Sequence, residues 1–255
     1  MSEKAALAAS ANTLYDTAGL KRRDPFFLGM SGALLLILLI GFSPTLYLRL
    51  FFDVPPIPLY LHVHGAVVTS WFVWLVFQAS LVTVRRTDLH RRIGIAGAGL
   101  AVAVVVAGPM ATRGLISRLE TIGLSLESDI QIVSWVVSLN STMILGFVVF
   151  LVAALLLRRR PDTHKRLMLF ASVSLIPPAI ARISFWPIFS WATEPPLVTT
   201  GSLLLLIPII AHDLSTKRRL HRATVLGTLG VALVMLAPLI LRDMEFMRTF
   251  VRGLA

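Results

Sequence analysis

Long apolar segments separated by short polar loops recur along almost the whole chain. A window of about 19 residues places seven of them near 26–48, 60–84, 93–112, 131–157, 165–187, 197–212 and 223–241. Segments of this length can cross the roughly 30 Å of hydrocarbon in a bilayer. Each is expected to be a helix, because an extended segment in lipid would leave its backbone N–H and C=O groups unpaired. The pattern predicts an all-α integral membrane protein, a bundle of about seven transmembrane helices.

The composition agrees with this pattern and narrows the possible chemistry. Hydrophobic residues make up 56% of the chain, charged residues 15%, and the mean hydropathy is +0.81, which is far from the balance of a soluble domain. The chain has no cysteine, so disulfides, thiolate metal ligands and thiol nucleophiles are excluded. Any metal ion or haem would need histidine, methionine or carboxylate ligands.

The basic residues predict how the chain is oriented. Of the 24 lysines and arginines, 17 lie on the side of the membrane that carries the N-terminus and seven on the other side. The positive-inside rule then predicts a cytoplasmic tail at residues 1–25, a periplasmic tail at 242–255 and a bacterial inner-membrane location. Anionic lipids at the inner face are expected partners. The net charge of +11 does not indicate nucleic acid, because these charges lie in short loops between apolar spans.

Two loops on the basic side share a local pattern. Residues 86–93 and 160–167 both follow the order Arg-x-Asp-x-His-basic-Arg-aliphatic. Asp88 and Asp162 stand where each could be the N-cap of the helix that follows, accepting hydrogen bonds from its free N–H groups. The sequence therefore predicts that these two aspartates are structural caps of the third and fifth helices.

The histidines of the same loops suggest a second interpretation. If the third and fifth spans are neighbours, His90 and His164 lie at equal depth, and His212 and Asp213 end the sixth span on the same side. Imidazole and carboxylate groups bind divalent transition metals. A metal or haem site formed by these three histidines is the alternative to a purely structural role.

Polar residues inside the second span form a stripe. His64, Trp71 and Gln78 are spaced by seven residues, which places them on one face of a helix, with Gln78 about 21 Å from His64 along the axis. A face with these residues is expected to point into the bundle.

The fifth span contributes Arg182 near the outer boundary, one turn after Pro177 and Pro178. The prolines should kink the helix and free backbone carbonyls for other partners. An ionisable residue inside the membrane is a functional candidate, although a charge near the boundary can also extend to water. We expect Arg182 to share with His64 a cavity that Trp71 and Trp186 cover.

Small residues characterise the third span. Gly94, Ala98, Gly97 and Ala101 form two small-xxx-small pairs, which is typical of helices that pack closely. This pattern predicts a central position for the third span.

Two resemblances follow from these residues. The run His62-Val63-His64-Gly65, followed by Trp71, Gln78 and residues 89–94, resembles a group of uncharacterised bacterial multi-pass membrane proteins. Residues 164–168 with Pro178, Ala179 and Arg182 resemble the later half of the same group. The resemblance covers roughly residues 60 to 185 and implies a membrane protein without an assigned reaction.

The start of the third span, His-Arg-x-x-Gly at 90–94, is also loosely similar to haem proteins of the cytochrome b561 and ferric-reductase kind. That resemblance implies haem b held between histidines on facing helices. His62 and His64 stand on one helix at the outer side, so only the basic side retains candidate ligands, namely His90, His164 and His212.

These observations lead to three functional expectations. The first is a membrane protein with a buried polar site for a small molecule, a quinone or a transported solute between the second and fifth helices, formed by His64, Trp71, Gln78, Arg182 and Trp186. The second is a redox protein with haem or a metal ion at the basic-side histidines. The third is an accessory subunit of a membrane complex, whose polar groups only bind neighbouring helices.

Overall fold

Helices make up most of the chain in the computed structural model, which describes residues 24–191 and 194–254. Strands are absent from these described residues. The α-helices are α1 Phe26–Phe42, α2 Leu59–Thr83, α3 Thr87–Ile116, α4 Ile130–Leu156, α5 Pro161–Ser174, α6 Pro177–Ala181, α7 Pro196–Leu204, α8 Leu206–Lys217, α9 Arg222–Leu241 and α10 Glu245–Arg252.

Membrane-spanning length is reached by six segments of the described chain, or by seven if a bent helix pair counts as one span. In the first, α1 continues through a π-helical turn at Ser43–Tyr47. In the sixth of the seven predicted spans, α7 and α8 together form a 22-residue segment. These lengths confirm the prediction of an all-helical protein with six to seven apolar segments that can span a membrane.

The bent pair is the fifth span. The helices Pro161–Ser174 and Pro177–Phe185 meet at an angle of 43°. Pro177 and Pro178 begin α6, where the missing N–H groups of proline are not needed and its fixed φ suits the first turn. The predicted kink is therefore a full break, and two residues separate the two helices.

The fifth span lies at the centre of the bundle. Helix α5 packs against α1, α4 and α9, and α6 packs against α1 and α7. Eight of the 14 residues of α5 are buried. Around it, α2 packs between α1 and α3, and α3 also contacts α4.

The third span, in contrast, is peripheral, and the central position predicted from its small residues is wrong. Only Ala101, Val104, Gly108 and Ile116 are buried in α3. Gly97 does lie against Trp74, but a Cβ added at Gly94 or Gly99 would meet no neighbour within 4 Å. Small residues permit a close approach without requiring one, so half of this pattern faces outwards.

The predicted caps are also wrong in position. The N-caps of α3 and α5 are Arg86 and Arg160, with no capping bond from either side chain. Each helix begins earlier than predicted, so that Asp88 and Asp162 occupy the second helical position. Both carboxylates still lie in the first turn, where the helix dipole favours negative charge. Asp162 instead pairs with Nζ of Lys165 at 3.1 Å and of Lys217 at 2.7 Å.

The C-terminal segment forms a helix of its own. Met247 and Val251 of α10 are buried against Val133 and Val137 near the start of α4, while Phe246 and Phe250 are exposed. One face thus packs on the bundle, and the other presents phenylalanine side chains, as on an amphipathic helix that lies at a membrane surface.

Candidate functional site

The polar stripe of α2 faces the interior of the bundle, as expected from its spacing. Trp71 is only 2% exposed and Gln78 9%. Nε1 of Trp71 donates a hydrogen bond to Oγ of Ser172 on α5 at 3.2 Å, and its ring packs edge-on against Phe147. This hydrogen bond brings the second and fifth spans together at the middle of the stripe.

Unpartnered polar atoms stand at both ends of the stripe. Among the described residues, neither Nε2 nor Oε1 of Gln78 has a hydrogen-bond partner, and Nδ1 of His64 has none either. Ser134 and Ser138 on α4 are both fully buried, and their Oγ atoms also lack a hydrogen-bond partner among the described residues. Polar groups left unpaired in a low-dielectric interior are costly, so these atoms can receive a ligand or water.

The end of the stripe nearest the basic loops carries two histidines. The rings of His90 and His164 lie 6.4 Å apart, centroid to centroid, and are nearly perpendicular. His90 faces the backbone carbonyl of Gln78, and its buried Nδ1 has no partner among the described residues. The backbone of Gln78 and the rings of His90 and His164 thus lie close together at one end of the bundle, and we call these three residues the inner polar cluster.

His164 is oriented by the end of α4. Its Nδ1 lies 2.9 Å from the carbonyl oxygen of Ala154. If Nδ1 carries the proton and donates to this carbonyl, Nε2 has a free lone pair, which is the usual arrangement of a histidine that ligates a metal.

His212, the third histidine of the predicted metal site, lies elsewhere. Its Nε2 is 3.2 Å from a carboxylate oxygen of Asp24, and its ring stacks on Phe26 at 4.1 Å. In the described part of the chain, no three His, Cys, Asp or Glu residues are arranged to hold a metal ion. The structure therefore brings together His90 and His164 but not His212.

Arg182 and Trp186 occupy the opposite end of the bundle and contact α1. Nη1 of Arg182 donates a hydrogen bond to the carbonyl of Pro178, near the proline break, at 2.9 Å. The guanidinium of Arg182 lies 4.6 Å from the centre of the Phe42 ring. Nε1 of Trp186 donates to the carbonyl of Ile40 at 3.0 Å. His64 lies within electrostatic range of Arg182, but Trp71 is deep in the core and does not cover this region.

An acidic group within electrostatic range of Arg182 comes from the loop before α7. Burial raises the pKa of Glu194, while the positive charge of Arg182 acts in the opposite direction. The two residues therefore attract each other at the outer end of the fifth span. The sequence gives no spacing signal for this pair, because a loop supplies one of its members.

A buried ion pair beside the inner polar cluster is the feature that sequence reasoning missed. Arg166 and Asp213 are both fully buried, and Nη2 of Arg166 binds Oδ1 of Asp213. The other carboxylate oxygen accepts from the backbone N–H of His221 at 3.0 Å and from Oγ1 of Thr224 at 2.5 Å. This network joins α5, α8 and the start of α9, and its members are satisfied within the protein.

Taken together, the long apolar helices and the polar interior define a multi-pass membrane protein. Comparison of the chain with protein-family models, with curated proteins and with solved structures finds no match.

Proposed function

We propose that the protein binds a small membrane-soluble carbonyl compound of the quinone class between the second and fifth spans, with its polar group at the inner polar cluster. The carrying observation is Gln78, a buried amide on the α2 stripe whose donor and acceptor both lack a partner among the described residues. A side-chain amide presents two N–H donors, which suits a ligand carbonyl oxygen. Aromatic and aliphatic walls with few polar anchors are the usual form of a small-molecule site.

The same proposal includes an orientation. The positive-inside rule favours an orientation in which the inner polar cluster lies towards the cytoplasm of a bacterium and His64 towards the periplasm. Lys165, next to His164 in the chain, and Lys217 both pair with Asp162, which supports placing these basic loops at one end of the bundle.

Gln78→Leu tests the ligand site. In purified protein titrated with a short-chain benzoquinone, quenching of tryptophan fluorescence should show binding to the parent chain. The variant should bind about two- to tenfold more weakly, because a lost hydrogen bond of about 0.5–1.5 kcal/mol corresponds to a factor in that range. Gln131→Leu, on the exposed end of α4, should bind as the parent does.

Stability separates this role from a structural one. Replacing an unpartnered buried amide with leucine should leave the unfolding midpoint unchanged or raised. A clear loss of stability together with unchanged quinone binding would mean that Gln78 only binds neighbouring helices, as expected of an accessory subunit.

A second candidate function, membrane redox chemistry, is supported by the histidine pair. The rings of His90 and His164 lie edge to face with their centroids 6.4 Å apart, so both imidazoles could supply nitrogen ligands to one metal centre. These residues would hold a haem iron or a metal ion, which when bound would supply one-electron chemistry.

A visible spectrum and metal analysis of the purified protein test this second candidate. A haem band or a bound metal should disappear in His164→Ala and persist in His212→Ala, because only His164 faces His90. A colourless, metal-free preparation from cells supplied with haem and metals would exclude it and leave the quinone site unaffected.

A further inference from the structure

A long groove runs along the surface of the bundle between α4, α5 and α9, away from the inner polar cluster. Its volume is about 1290 Å³. Apolar side chains line most of it, including Val149 of α4, Leu157 directly after α4, and Leu226 and Leu233 of α9. Along α9 the lining extends from Arg222 to Ala237, about 22 Å of helix, which is more than the roughly 15 Å thickness of one bilayer leaflet.

Glycines bring the two walls together at the base of the groove. A Cβ at Gly146 would lie 2.7 Å from Val234, and one at Gly230 would lie 2.6 Å from Phe150. Larger residues at these positions would push α4 and α9 apart. The groove is therefore a shaped depression between closely packed helices, with Leu226 and Leu233 projecting along its side.

The end of the groove at the basic loops is positively charged. Arg160, Arg219 and Arg222 line this end, and all three are exposed. No carboxylate of the described residues lies within 4.0 Å of any of the three. Asp162 also lines this end, but its carboxylate binds Lys165 and Lys217.

His221 does not add to this charge. Burial and the nearby Arg166 and Lys217 lower its pKa, so its imidazole is neutral at pH 7. Its Nδ1 instead accepts a hydrogen bond from the backbone N–H of Ala223 and caps α9. The three arginines are therefore the groups that can bind an anion at this end.

We propose that this groove is a binding site for one anionic glycerophospholipid, whose phosphate lies between Arg160, Arg219 and Arg222 and whose acyl chain lies along α9 and α4. The charge at one end and the apolar length beyond it complement the two parts of such a lipid. Basic pockets between transmembrane helices near the inner surface have this kind of chemistry. A zwitterionic lipid would match the apolar length but not the charge.

Native mass spectrometry of the full chain, released from detergent micelles, tests the proposal with synthetic lipids. Phosphatidylglycerol should give one discrete adduct at lipid concentrations where phosphatidylcholine with the same acyl chains gives none. Arg222→Gln and Arg219→Gln should each weaken phosphatidylglycerol binding about fivefold, the effect of removing one nearby cation. Arg159→Gln, an exposed arginine in the loop of Arg160 but outside the groove, should bind as the parent does.

The apolar part of the groove can be tested with leucine variants and a matched control on the same helix. Leu226 and Leu233 are 67% and 68% exposed and line the groove, whereas Leu229 is 63% exposed on the same helix and does not. Leu226→Trp and Leu233→Trp should reduce the adduct, and Leu229→Trp should not. All variants should retain the unfolding midpoint of the parent, since none of these leucines is in the core.

Three results would overturn the proposal. Equal adducts for phosphatidylglycerol and phosphatidylcholine would show ordinary lipid contact without selectivity. Equal effects of Arg159→Gln and Arg222→Gln would show diffuse surface charge. Competition by glycerol phosphate at the concentration of the lipid would show an anion site that needs no acyl chain.

Discussion

At the scale of single residues, the most demanding feature is the buried pair of Arg166 and Asp213. Removing two charges from water costs several kcal/mol for each ion, and the cost is offset only when geometry and further hydrogen bonds are good. Here Nη1 of Arg166 also donates to the carbonyl of Asp162 at 2.7 Å, and Thr224 and His221 donate to Asp213. The pair therefore fixes how α5, α8 and α9 meet.

Asp213→Ala should destabilise the protein by about 3–5 kcal/mol, because it leaves the Arg166 guanidinium buried and unpaired. Asp213→Asn should cost less, since the amide oxygen can still accept from Thr224. Asp88→Ala, on an exposed carboxylate, should change stability by no more than about 0.5 kcal/mol. Unfolding in mixed micelles with increasing SDS, followed by tryptophan fluorescence, measures all three, and equal midpoints for Asp213→Ala and Asp88→Ala would contradict the buried pair.

The sequence showed part of this residue-level arrangement. The shared loop pattern predicted that His90 and His164 lie at equal depth if their helices are neighbours, and their rings do lie side by side. The partner of Arg166 was not predictable in the same way. Asp213 is 47 residues away along the chain, and only the packing of α5 against α9, with α8 leading into it, brings it to the pair.

At the scale of the helices, close packing depends on glycine where two helices meet face to face. A Cβ at Gly227 of α9 would overlap the ring of Phe170 on α5, whereas a Cβ at Gly99 of α3 would meet nothing within 4 Å. Hydropathy located both helices, but it could not show which glycines face a partner. Glycines recur on both α3 and α9, but both Gly227 and Gly230 of α9 face a ring of a neighbouring helix.

Gly227→Ala should therefore destabilise the protein by about 1–3 kcal/mol through overpacking against Phe170. Gly99→Ala should be neutral or stabilising by about 0.5–1 kcal/mol, because alanine restricts the unfolded chain more than glycine does and fits the helix. The same SDS unfolding assay compares the two. If Gly99→Ala were the more damaging change, α3 would have to lie in the interior.

At the scale of the whole molecule, the alternation of basic and acidic or neutral loops corresponds to the two ends of one bundle. The end of α4 leads to Arg160, while α10 packs against Val133 and Val137 at the start of α4. Residue 160 and the C-terminal helix thus lie at opposite ends of the same helix.

The spans were predictable because the length of each is set by the thickness of the bilayer, and the break in the fifth span followed from its two prolines. The groove was not predictable, because residues far apart in the chain form its walls.

A pair of reporter fusions tests the orientation that accompanies the proposed function. A reporter that is active only outside the cytoplasm should be active when fused after Ala255 and inactive when inserted after Arg160, because the basic loops should remain inside and an odd number of crossings separates the two ends. An insertion between Ser125 and Asp129, in the loop that precedes α4, is the control and should be active. Activity at Arg160 with none at Ala255 would invert the protein while keeping seven crossings. The same result at both positions would contradict the opposite ends at which the structure places them. It would mean that the bent pair Pro161–Ser174 and Pro177–Phe185, the one segment of the described chain whose 43° break also fits a re-entrant loop, enters and leaves on one side. In that case the fifth span, although central, would not cross the membrane.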